Sequence, residues 1–128
     1  MIERPGVADI TAILQEFDDE RLVNRVTVNC EEFYRMNFKV CSLVSGNHIE
    51  STCQIFDLTD GNITKLMSRD CLRLLKLGAK IAQDYYPETM GACWVVNAPF
   101  LFYALYAIVK GFLDERTRQK VRILGSNF

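Results

Sequence analysis

From Leu22 onward, apolar residues recur at steps of three and four: Leu22, Val26, Cys30 and Phe33, then Val40 and Val44 beyond Asn37. That is the period of one helix face, and it predicts a single long helix running to about Ser45. Asp18 and Asp19 suit its start, and Gly46 with Asn47 supply its stop. Before it, Pro5-Gly6 marks a turn in an extended entry, and Asp9 can cap a short helix. After it the rhythm changes. Residues 51–58, STCQIFDL, read as a strand, and Thr59-Asp60-Gly61-Asn62 as a turn. Leu66, Met67, Cys71, Leu74, Leu75, Ile81 and Ala82 then give another broad apolar helix face. A turn through Tyr85-Tyr86-Pro87-Glu88 leads into a strand from Cys93 to Val96. Asn97-Ala98-Pro99 breaks it, and residues 100–109 read as a very apolar helix. Asp114 caps a short helix over 115–120, and Val121 to Leu124 form a last strand. Helices alternating with strands imply right-handed crossovers, so the expected class is α/β, a mostly parallel sheet with helices against it.

Composition narrows the possibilities. The chain has 128 residues, which makes one domain the default, and 49% of them are apolar, enough for a packed core. The formal net charge is −1, so no global basic field draws nucleic acid, and anion recognition must be local. The charged residues Arg21, Arg25, Glu31, Glu32, Arg35 and Lys39 interleave with the long helical stripe and read as its solvated face. Cys30, Cys41, Cys53, Cys71 and Cys93 are odd in number and form no CxxC; with His48 alone they make no zinc-ligand spacing. Cys53 and Cys93 sit in apolar strand runs, where the expectation is a small hydrophobe. The start has no apolar h-region of a signal peptide. Residues 92–109 are nearly all apolar, but Asn97 and Pro99 interrupt them, and a buried strand followed by a buried helix fits better than a membrane span.

No signature of covalent chemistry is present: the chain lacks GxSxG, HExxH, GxxxxGK[ST] and GxGxxG. His48 stands without a nucleophile partner. Asp57, at a strand end, is the best-placed acid, and hydrogen bonding to the following turn accounts for it. The expectation is therefore binding and not catalysis. Phe100, Leu101, Phe102, Tyr103, Leu105, Tyr106 and Ile108 make a helix apolar nearly all round, which must either be packed on every side or face an apolar ligand.

Two runs carry a more specific signal. QDYYPETMGACWVVNAPFLF, followed by FLDERTRQKVRILGS, resembles the CRAL-TRIO lipid-binding domain, in its branch of fungal-type phosphatidylinositol/phosphatidylcholine transfer proteins. The YYPE-MG turn, the NAPF strand end, the FLD-x-x-T-x-x-K helix and the ILG strand occur in the family's order, and ESTCQIFDL resembles its first strand. The resemblance spans the chain and is strongest from Glu50 onward.

The resemblance implies a sheet floor and a helical wall around one phospholipid. It assigns the phosphoinositol headgroup to Glu88, Thr117 and Lys120. The family's phosphocholine positions map to Thr52, Gln54 and Cys30. Thr52 keeps a hydroxyl, whereas Gln54 adds bulk and Cys30 lacks the aromatic face that holds a quaternary ammonium. Phosphatidylinositol is thus the expected ligand, ahead of phosphatidylcholine. No cofactor is implied beyond the lipid. A transient membrane surface is the implied partner, with a cytoplasmic location touching Golgi or endosomal membranes. The family also extends on both sides of this stretch. The chain is therefore expected to be a partial domain whose uncovered apolar helix finds a protein partner or a second copy, as a truncated lipid sensor would.

Overall fold

The computed structural model describes residues 1–16 and 18–125, with the side chains of Ile10, Thr11, Leu14 and Ile63 outside the description. Four strands form one sheet: β1 (Ile2–Glu3), β2 (Thr52–Asp57), β3 (Met90–Ala98) and β4 (Val121–Gly125). Their order in space is their order in sequence, and every pair is parallel. The entry expected as merely extended thus contributes a strand: the Ile55 N–H donates to the Met1 carbonyl at 2.9 Å.

The first crossover contains α1 (Ile10–Glu16), α2 (Asp19–Glu32) and α3 (Phe38–Ser45). The second contains α4 (Ile63–Leu66) and α5 (Arg69–Tyr85), and the third α6 (Phe102–Val109) and α7 (Glu115–Lys120). Side-chain caps set the starts. Asp18 accepts the Arg21 N–H, Ser68 the Cys71 N–H, and Asp114 the Thr117 N–H. Gly46 closes α3 in the left-handed conformation, at φ 68°, as its place in the sequence predicts.

The predicted long helix is not uniform. Residues Phe33–Asn37 form a π turn, in which the Phe38 N–H donates to the Phe33 carbonyl, five residues back. One extra residue in the turn rotates everything after it by about 100°. The stripe therefore changes phase: Phe38 is buried, while Val40 and Val44, expected on the inner face, are exposed.

Side chains on one sheet face make the core. Cys93 and Val95 of β3 are buried with Leu58, Leu66, Cys71 and Leu105, and Phe56, Val121 and Ile123 pack against them. Strand alternation sends Cys53, Trp94 and Arg122 to the other face, where all three are exposed. Cys53 is therefore not the core hydrophobe expected, whereas Cys93 is. A bulge ends the alternation in β3. Asn97 adopts φ 55°, the register shifts, and Ala98 returns to the core. At the other end of β3 the register skips Gly91, where a Cβ would lie 2.6 Å from Ser51 Oγ, so this close approach accepts only glycine without adjustment.

Helix α6 is packed on one side alone. Leu105 is buried, but Phe100, Leu101, Tyr103 and Ile108 are exposed, Phe100 almost completely at 92%. Of the two readings left open by its apolar sequence, packing on every side is excluded among the described residues.

Candidate functional site

The site is built on the turn between α5 and β3. Pro87 stops α5, because it can neither donate to the helix ladder nor fit beneath it. The Thr89 hydroxyl bonds the Tyr86 carbonyl at 2.8 Å and closes the turn. Glu88 lies between them at φ 66°, in the left-handed region that side-chain-bearing residues seldom occupy.

Helix α7 faces Glu88. Its cap residue Asp114 accepts twice from Thr117: the N–H at 2.7 Å on Oδ1 and the hydroxyl at 2.9 Å on Oδ2. Arg116 and Lys120 are four residues apart and share a helix face. The Lys120 ammonium donates to Glu88 Oε2 at 2.6 Å, and the Arg116 guanidinium to Oε1 at 3.3 Å. The Lys120 hydrogen bond and charge, helped by Arg116, hold the Glu88 carboxyl below its ordinary range. Lys120 is the more enclosed partner, at 24% side-chain exposure against 58% for Glu88. Two cations share the Glu88 carboxylate.

Of the three residues assigned to the phosphoinositol headgroup, Glu88 and Lys120 are in direct contact. Thr117 lies three residues before Lys120, on the same short helix, with its hydroxyl proton committed to Asp114. The positions mapped to phosphocholine are distributed differently. Thr52 and Gln54 alternate onto one face of β2, and Thr52 is tied to the turn: its N–H and hydroxyl both donate to the Thr89 carbonyl, at 2.7 and 3.2 Å. Cys30 is half-buried on α2, and burial, reinforced by the adjacent Glu31 charge, pushes its thiol up. Among the described residues no hydrogen bond joins Cys30 to Thr52 or Gln54.

Sequence reasoning missed the far side of the turn. The Tyr86 hydroxyl donates to Glu31 Oε1 at 2.9 Å. The Tyr34 hydroxyl lies 2.8 Å from Thr89 Oγ1 and 3.4 Å from the Pro87 carbonyl, and its ring packs on Phe38 and Tyr86. Both contacts cross more than fifty residues of sequence, and the only local signal was two tyrosines in a polar setting.

Asp57 has the bland role expected of it, with an addition. Its Oδ1 accepts the Thr59 N–H at 2.9 Å, the Thr59 hydroxyl at 2.6 Å and the Asn97 amide at 2.9 Å. The Thr59 hydroxyl leads, followed by Asn97, in holding the carboxyl down at about 2. The left-handed Asn97 thereby ties the end of β2 to that of β3. Beside it lies an open hollow of about 330 Å³, lined by Leu58, Thr59, Asp60, Gly61, Asn97 and Pro99. It does not include Glu88 or Lys120.

Residues 4–128 match the family model described as the CRAL/TRIO domain. The chain belongs to that family. It is 37% identical over 127 residues to the Sec14 cytosolic factor of Schizosaccharomyces pombe, covering 99% of this chain and 44% of that protein. It is 36% identical, over 99% of its length, to a protein of Arabidopsis thaliana named phosphatidylinositol/phosphatidylcholine transfer protein SFH11, of which it covers 34%. Among solved structures, that of Sfh5 superposes with a TM-score of 0.61 at 26% identity, covering 96% of this chain and 41% of that one. This CRAL/TRIO chain thus spans less than half the length of the relatives it matches. The α/β class with a parallel sheet and the resemblance both stand. No helix among the described residues is long and apolar enough to cross a membrane.

Proposed function

We propose that the chain binds a phospholipid, with phosphatidylinositol as its preferred headgroup, and carries it between membranes without covalent chemistry. The observation that carries this reading is the Glu88–Lys120 contact at 2.6 Å, made across 32 residues by two positions that the family resemblance assigns to the headgroup. Lys120 supplies charge and donors to the phosphodiester. Glu88 orients Lys120 in the empty state and accepts from inositol hydroxyls in the loaded one. Thr117 adds a hydroxyl once it turns from Asp114. The free side of α6, with Leu101, Tyr103 and Ile108, is the wall along which acyl chains lie. Burial at about 0.8 kcal/mol per methylene makes those chains the main source of affinity, while the headgroup residues decide identity. The relatives' names support phospholipid exchange, and one of them is called a cytosolic factor. Exchange at the cytosolic surface of Golgi or endosomal membranes is the corresponding location.

An ordinary surface ion pair would look similar, and would matter little. Two measurements separate them. The purified chain is extracted with organic solvent and its lipid identified by mass spectrometry, beside Lys120→Ala. Stoichiometric phosphatidylinositol, lost or exchanged for other headgroups in Lys120→Ala, is the expected result. A folded chain that carries no phospholipid sinks the reading. One observation favours a second reading, a lipid sensor acting through protein contact: Phe100 is 92% exposed beside the free face of α6. Under that reading lipid is bound but does not move between vesicles.

A further inference from the structure

We propose that Tyr34 is a positioning residue for the headgroup site: its hydroxyl clamps the 86–89 turn from outside and so fixes where Glu88 meets Lys120. This rests on the reading that Glu88 and Lys120 take the headgroup.

The turn needs a clamp. A left-handed Glu88 is costly and persists only where its surroundings over-determine it. The surroundings here are specific. From the sheet side, Thr52 holds the Thr89 carbonyl with both its N–H and its hydroxyl. From the helix side, the Tyr34 hydroxyl sits between Thr89 Oγ1 at 2.8 Å and the Pro87 carbonyl at 3.4 Å. Thr89 Oγ1 in turn bonds the Tyr86 carbonyl, and Tyr86 reaches back to Glu31. The residues on both sides of Glu88 are thus bonded, while the Glu88 side chain is left free to face α7.

The π turn makes this possible. Tyr34 lies within Phe33–Asn37, the one stretch where the first-crossover helix leaves α-helical register. In a regular helix Tyr34 is one position beyond the apolar stripe that runs through Phe33. The added residue turns Phe38 into the core, and Tyr34 packs edge-on against it at 5.5 Å and tilted against Tyr86 at 5.9 Å. Such π insertions occur often at functional sites.

Three variants test the proposal: Tyr34→Phe, which keeps the ring and removes the hydroxyl; Thr89→Val, which approaches the same contact from the turn; and Lys120→Ala as the site control. Each 128-residue chain is equilibrated with vesicles of equimolar phosphatidylinositol and phosphatidylcholine, re-isolated, and its lipid measured by mass spectrometry. The titration of the Glu88 carboxyl is followed by NMR in parallel. We expect Tyr34→Phe to keep its total lipid load while its phosphatidylinositol-to-phosphatidylcholine ratio falls roughly three- to tenfold, the scale of one net hydrogen bond. Its Glu88 titration should rise toward the ordinary carboxylate value as Lys120 loses alignment. A fourth chain combining Tyr34→Phe with Thr89→Val should be no worse than Thr89→Val alone. If Lys120→Ala loses the preference and Tyr34→Phe keeps it, the positioning role is wrong and the headgroup site stands. If Lys120→Ala keeps the preference, the headgroup site is wrong, and the Glu88 titration still judges Tyr34: unmoved in Tyr34→Phe, it overturns the clamp. Parallel loss of melting temperature and total lipid in Tyr34→Phe, with the ratio intact, also overturns it, because that pattern belongs to a purely structural contact.

Discussion

Replacing Leu105 by alanine probes whether α6 has one packed side and one free side, on which the proposed acyl wall depends. Leu105 is 3% exposed and belongs to the cluster of Leu58, Leu66, Cys71, Cys93, Val95 and Ala98. The substitution deletes three carbons. At about 0.8 kcal/mol each, transfer alone removes about 2.4 kcal/mol, and the cavity left behind raises the total to roughly 3–4 kcal/mol. Ile108, on the same helix, is 46% exposed. Much of its side chain is already in water, and alanine is the better helix former, so Ile108→Ala should cost less than about 1 kcal/mol. For a chain of this size 1 kcal/mol is worth roughly 3–6 °C, so Leu105→Ala should melt roughly 10–20 °C below the parent, and Ile108→Ala within about 5 °C of it. Thermal unfolding followed by circular dichroism reads both. Equal losses for the two variants, or a loss under 1 kcal/mol for Leu105→Ala, would refute the one-sided packing of α6.

Three further outcomes are expected. Gly91→Ala should destabilise, because its Cβ meets Ser51 Oγ at 2.6 Å and Ser51 Cβ at 3.1 Å, and Ser51→Gly in the same chain should recover part of the loss; urea midpoints decide it. Asp114→Ala removes the cap of the short helix bearing Thr117 and Lys120, so stability should fall by about 1 kcal/mol and phosphatidylinositol retention should fall with it. Asp57 has a folded-state pKa of about 2 against an ordinary 3.8, so its contribution is present above about pH 4 and is lost as the pH falls toward 2. The stability difference between the parent and Asp57→Asn should therefore shrink over that window in acid unfolding, and a difference constant with pH would show that Asp57 is not the group responsible.

What could be read from the sequence follows from range. Caps act over three residues, so Asp18, Asp114 and Gly46 marked their helix ends correctly. Short apolar runs bounded by turn residues identified β2, β3 and β4, although β3 extends over Met90–Ala98, beyond the Cys93–Val96 read from its apolar run. The π turn was not legible, because the steps of three and four through Cys30, Phe33, Asn37 and Val40 fit a regular helix as well. Cys53 was misplaced for a related reason: an apolar strand residue belongs to whichever face the crossovers cover, and composition does not name that face. The Glu88–Lys120 contact could be anticipated only through the family motif, since nothing local links positions 32 apart. Tyr34 and Glu31 lay outside that motif and became visible only from the turn they hold.

The strand order has a consequence for how the chain emerges from a ribosome. Among the described residues each strand pairs with the one made just before it, so none of these four waits for a later one before it finds a neighbour or inserts between two already joined. The sheet can lengthen strand by strand as synthesis proceeds, each crossover closing before the next begins. Loop-closure cost is then met in three instalments of similar size instead of one long-range search, which favours early formation of the amino-terminal half. The Glu88 turn is complete once β3 joins β2, before α7 exists. The carboxylate is therefore in place when Lys120 arrives, and α7 docks onto a target already built.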